Sequence, residues 1–118
     1  MIHVIEFPAP AGLLNLNDRL HWAARSRAAR EWRTAAFYGA KRAGVSGLGY
    51  SSVSVELPVR DRRTRDPHNF VSTVKPLVDG LVDAGVWPDD SSEWVTVAEP
   101  VLVVGGQLVR VTIEEVEQ

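Results

Sequence analysis

The chain has 118 residues, a formal net charge of −2, 45% hydrophobic and 24% charged residues, the balance expected of one globular domain spanning residues 1–118. It has no cysteine, which excludes a disulfide framework and cysteine-ligated zinc and fits a reducing, cytoplasmic setting. Residues 1–7 lack the basic flank and apolar run of a signal peptide, and no stretch approaches the ~20 apolar residues of a membrane span, so a soluble protein with no membrane partner is expected.

Residues 2–7 read as a short strand, closed by the breaker Pro8-Ala9-Pro10-Ala11-Gly12. A polar loop follows over 15–19. The spacing predicts a helix over 21–43, where Trp22, Ala29, Trp32, Ala36, Ala40 and Ala43 form one apolar stripe and Arg27, Arg30 and Lys41 fall away from it. Gly44, Gly47 and Gly49 end it. Residues 50–59 alternate Val53, Val55, Leu57 and Val59 with Ser52, Ser54, Glu56 and Pro58, the period of a half-buried strand. A second helix is expected over 67–84, with Val71, Val74, Val78, Leu81 and Val82 inward and a break near Thr73 imposed by Pro76. Two last strands, 95–104 and 108–116, flank Gly105-Gly106, a two-residue hairpin turn. The order β-α-β-α-β-β implies an α+β domain of two layers, with two main helices packed on a four-stranded mixed sheet.

Charge is distributed along the chain as two poles. Eleven Lys and Arg residues lie between Arg19 and Arg65 against three acids, which leaves +8; from Pro76 onward nine acids face Arg110 alone, which leaves −8. Such a chain can offer a basic face to phosphate and an acidic pocket to metal, although the two sets can equally pair with each other in solvent.

The chemistry-bearing residues cluster around the second helix. Asp61-Arg62-Arg63-Thr64-Arg65-Asp66 precedes it, Lys75 lies in it, and Trp87-Pro88-Asp89-Asp90 follows. Phosphodiester hydrolysis needs charge compensation at the phosphoryl oxygens and an activated water, which carboxylates sharing a bound Mg²⁺ supply. Mg²⁺ takes hard oxygen ligands and keeps several waters, so one or two carboxylates plus phosphate suffice. Each piece also has a purely structural reading. Asp66-Pro67 is a good helix start, Asp89-Asp90 after proline is turn composition, Lys75 can pair with Asp79, and Trp22 and Trp32 read as core.

Taken together, the run 61–69, ending Arg65-Asp66-Pro67-His68-Asn69, and the run 79–90, Asp-Gly-Leu-Val-Asp-Ala-Gly-Val-Trp-Pro-Asp-Asp, resemble the RusA family of Holliday junction resolvases. That family carries an Arg-rich run into D-x-D-N, a helix with a Lys, then D-A-L-x-x-A-G-x-W-x-D-D; the match covers about a quarter of the chain. The resemblance implies a dimeric endonuclease dependent on Mg²⁺, with Mn²⁺ as a substitute, that resolves four-way junctions by paired symmetric nicks. It implies Asp66, His68, Lys75, Asp89 and Asp90 as the catalytic group, with Asp66, Asp89 and Asp90 on the metal. DNA contacts are expected from Arg19, Arg25, Arg27, Arg62, Arg63, Arg65 and Asn69. Two departures stand out. His68 replaces the second Asp of D-x-D-N, and the stretch between Asn69 and Asp79 is longer than in the family and contains Pro76. The alternatives are a DNA-junction-binding protein that no longer cuts, and a nuclease for flaps and branched replication intermediates.

Overall fold

The computed structural model describes residues 1–17 and 21–116. It is α+β, with two helices and a mixed five-stranded sheet, in the expected order of elements. The alternation in β2 (Ser51–Val59) builds the sheet's centre: Val53, Val55, Leu57 and Val59 are buried, and Ser52 and Ser54 face solvent. β5 (Leu108–Glu115) pairs antiparallel with β2 and, on its other edge, with β1 (Ile2–Pro8). Ile5, Phe7, Val109, Val111 and Ile113 extend the buried face across these strands.

The helices cover that face. In α1 (Trp22–Ala43) the buried residues are Trp32, Ala36, Gly39 and Ala40, one helical stripe. Trp22 corrects the expectation that it is core: it is 76% exposed, because it opens the helix a full turn and more before the covered stretch begins. Gly44 ends α1 in the left-handed region at φ 70, its N–H reaching the carbonyls of Ala40 and Lys41. The second helical segment begins as a 3₁₀ turn (Pro67–Phe70) and continues as α2 (Val71–Asp83). The break therefore falls at Phe70–Val71 rather than Thr73, and α2 runs through Pro76, whose missing N–H costs it one internal bond to the Ser72 carbonyl. Val74, Leu77, Val78 and Leu81 are buried, while Val71 and Val82 are only partly so. The helices cross closely at Gly80, where a Cβ would collide with the carbonyl oxygen of Arg33. None of the described helices is long and apolar enough to cross a membrane.

The expected strand over 95–104 is two strands, which is why the sheet has five strands and not four. β3 (Val95–Val97) and β4 (Val101–Val104) both run parallel to β2, along the edge that β5 leaves free. Val97 pairs with Val53 and Val101 with Glu56, so four steps on one chain match three on β2. The extra residue makes a bulge over Ala98-Glu99-Pro100, where Pro100 can donate nothing to the ladder. The Gly105-Gly106 turn is present, with both residues at positive φ, but it does not join a hairpin. Gly105 donates to the Val59 carbonyl at 2.9 Å, and the chain crosses the end of β2 to reach its other edge. A strong local turn signal was decided by the lateral position of β2, which no local pattern encodes.

Candidate functional site

Parallel pairing of β2 with β3 requires a crossover, and the 3₁₀ turn with α2 is that crossover. It brings the two charged segments, on either side of α2, to one region. The loop after β2 is braced by its own side chains. Asp61 Oδ1 accepts the Arg63 N–H at 3.0 Å, and Arg65 donates to the carbonyls of Asp61 and Arg63 and to Asp61 Oδ1 at 2.9–3.1 Å. The Arg63 N–H foremost, then Arg65, holds the Asp61 carboxyl below the usual carboxylate range. Arg65 is therefore engaged within the loop, whereas Arg62 is exposed and the Arg63 side chain is 77% exposed.

Asp66 caps the 3₁₀ turn, its Oδ1 accepting the His68 N–H at 3.1 Å with Pro67 at the first position. Asn69 holds the 13–17 segment, its carbonyl accepting Leu16 N–H at 2.8 Å. The same segment is fixed to α2 through Thr73, which exchanges bonds of 2.7 and 2.8 Å with Leu14. Beyond α2, Trp87 is buried with Nε1 donating to Ser51 Oγ at 3.2 Å, which anchors the acidic turn to β2. Asp89 Oδ1 accepts the Ser91 N–H at 2.8 Å; the Ser91 hydroxyl and N–H keep its carboxyl below the usual range.

Lys75 joins the helix to that turn. Its ammonium reaches Asp90 Oδ2 at 2.5 Å and Asp79 Oδ1 at 2.9 Å. The bond to Asp90, then that to Asp79, raises the Lys75 pKa against the opposing effect of burial. Lys75 is thus a positive charge held between two carboxylates.

His68, Lys75 and Asp90 line one cavity of about 340 Å³ between α2 and the β3–β4 bulge, with valines of α2 along its wall. Glu99 lines it from the bulge, its Oε1 3.7 Å from His68 Nδ1. A second groove, about 580 Å³, adjoins it and is lined by Arg62, Arg63 and Arg65; Glu99 lines both. The structure thus gathers His68, Lys75 and Asp90 but directs Asp66 and Asp89 to backbone N–H groups beside the cavity. Arg25 donates to the Asn15 carbonyl at 3.3 Å, and Arg27 borders a shallow groove with Pro10 and Arg30 instead. Arg19 lies outside the described residues. Glu99 is absent from the sequence-based site. The available signal was Pro100, a residue that does not belong inside a paired strand.

Among the described residues no three His, Asp or Glu side chains stand close enough to share a metal ion. The donor chemistry nonetheless suits a hard divalent cation, which needs one or two carboxylates, with water and phosphate completing its shell. Asp90 already holds a cationic ammonium, and Glu99 is a second oxygen donor on the same cavity.

No protein-family model matches the chain. It is similar to a protein of Xylella fastidiosa (strain Temecula1) described as an uncharacterized protein, with 34% identity over 85 residues. The match covers 68% of this chain and 56% of the relative, so the chain spans little more than half of that relative's length.

Proposed function

We propose that the chain is a metal-dependent endonuclease of the RusA kind, working in the cytoplasm on branched DNA and cutting four-way junctions. The observation that carries this reading is the juxtaposition of a Lys75–Asp90–His68 cavity with a groove lined by Arg62 and Arg63, the two meeting at Glu99. Residues far apart in sequence supply, side by side, cations for a phosphate backbone and carboxylates for a metal.

In this reading Arg62 and Arg63 hold the DNA backbone and Arg65 holds their loop. Asp90 is the oxygen ligand on the cavity, with Asp66 and Asp89 on the flanking turns. A bound Mg²⁺ or Mn²⁺ supplies Lewis acidity and a water of lowered pKa. Lys75, held beside Asp90 and Asp79, neutralises negative charge on the phosphoryl oxygens. Paired nicks across a two-fold junction require two equivalent sites, hence a homodimer.

One observation favours a second reading, a junction-binding protein that does not cut: Asp66 and Asp89 already serve backbone N–H groups. Cleavage by the wild type separates the two, and Asp90→Asn then tests the site. Under the nuclease reading it abolishes cleavage and leaves junction binding intact or tighter, because a carboxylate repels phosphate until the ion arrives. Loss of binding together with cutting, in a folded variant, contradicts the assignment.

A further inference from the structure

We propose that Glu99 is the positioning partner of His68: it draws the Nδ1–H of the neutral imidazole toward the β3–β4 bulge and leaves the Nε2 lone pair free for the cavity. The proposal rests on the nuclease reading only for what His68 then does, which is to ligate metal or accept a proton there.

Three observations carry it. The Glu99 carboxylate stands 3.7 Å from His68 Nδ1, longer than a hydrogen bond but within ion-pair distance. Glu99 reaches that place because of the bulge. One residue more than β2 requires is inserted between Val97 and Val101, and bulges characteristically re-aim a side chain beside a functional site. The contact also has little structural worth, since the His68 and Glu99 side chains are 65% and 56% exposed. An exposed pair of this sort contributes at most about 1 kcal/mol, so folding gives no reason to place it there.

The chemistry then follows. Imidazole can hold a metal or accept a proton at one nitrogen only if the proton rests on the other, and a carboxylate on that other nitrogen fixes both tautomer and ring orientation. Lys75 and Asp90 line the same cavity, and they already satisfy each other. Glu99 is the carboxylate the geometry leaves for His68.

The test is nitrogen-15 NMR of the histidine side chains in the full metal-free chain, at a pH where imidazole is neutral, with His68 assigned by its loss in His68→Gln. Wild type should show the Nδ1–H tautomer at His68. Glu99→Ala should shift it toward the Nε2–H form that an unconstrained histidine side chain prefers, and Glu99→Gln, whose amide oxygen still accepts, should retain most of the Nδ1–H form. Mn²⁺ affinity should fall about 10–100-fold in Glu99→Ala, the usual cost of losing such a partner, with the melting temperature unmoved. Adding His68→Ala to Glu99→Ala should cost no more than His68→Ala alone. An unchanged tautomer in Glu99→Ala overturns the proposal. A wild type that cuts no DNA sinks the nuclease reading instead, and the tautomer still decides the role of Glu99.

Discussion

Lys75 is held between Asp79 and Asp90, so one ammonium serves two carboxylates at the mouth of the cavity. Removing it with Lys75→Met should have opposite effects on two measurements. Cleavage should fall by about 10²-fold or more, since a charge aimed at the phosphoryl oxygens is lost. Divalent metal should bind more tightly, because Asp90 no longer has an internal cation; the worth of an exposed pair puts the gain at about two- to fivefold in a Mn²⁺ titration. Unchanged metal affinity would show that Asp90 is not a ligand. His68 gives a further prediction. Imidazole suits Mn²⁺ better than Mg²⁺, so the ratio of Mn²⁺- to Mg²⁺-supported cleavage should be higher in wild type than in His68→Asp. Equal ratios, with both proteins active, would limit His68 to contacting DNA or the helix start.

At the scale of elements, the site depends on α2 being held against α1 and the sheet. Gly80 lets the helices approach until a Cβ would collide with the Arg33 carbonyl, so Gly80→Ala should destabilise the fold by about 1–3 kcal/mol in urea unfolding. The same crossing carries Arg33 to Asp83 at 2.6 and 2.9 Å, which lowers the Asp83 pKa. A depressed carboxyl contributes stability that is complete above its unfolded value, near 3.9, and is lost as pH falls through the folded value. Asp83→Asn should therefore cost up to about 1 kcal/mol at neutral pH, the worth of an exposed pair. Its deficit should shrink as pH falls below about 3.9. A deficit independent of pH would assign the loss to packing.

Much of this architecture was legible from the sequence because it is periodic. The alternation of Val53 to Val59 and the stripe through Trp32, Ala36 and Ala40 report burial directly, and residue spacing alone suffices to read them. The split at Ala98-Glu99-Pro100 was not, because Val95 to Val104 is apolar enough to pass for one strand and the bulge depends on register against β2. For the same reason Gly105-Gly106 looked like a hairpin. In the candidate site, His68, Lys75 and Asp90 could be named together from sequence because they lie in or beside one helix. Glu99 enters from the sheet edge, and only the fold brings it to them.

Across the whole molecule, Arg62, Arg63 and Arg65 of the basic stretch line a groove that adjoins the cavity of His68, Lys75 and Asp90, with Glu99 lining both. Binding should therefore be governed by phosphate contacts. Arg62→Ala and Arg63→Ala should each lower the slope of log K against log salt by roughly 0.9 on duplex arms, and weaken all DNA sequences alike. Arg65→Ala should behave differently and perturb the loop itself, because its guanidinium holds the Asp61 and Arg63 carbonyls. A salt slope unchanged in Arg62→Ala and Arg63→Ala would move the DNA surface elsewhere.

This combined groove and cavity is proposed to cut branched DNA with the help of a divalent metal. The most direct measurement incubates the purified chain with end-labelled four-way, three-way, flap and linear duplex DNA, in Mg²⁺, Mn²⁺ or EDTA, and maps every nick. Paired nicks are expected at symmetric positions in opposing strands of the four-way junction, supported by either metal and abolished by EDTA. Linear duplex should stay intact. A chain that binds the junction yet leaves every substrate uncut in both metals, or that cuts linear duplex as readily, would contradict the proposal.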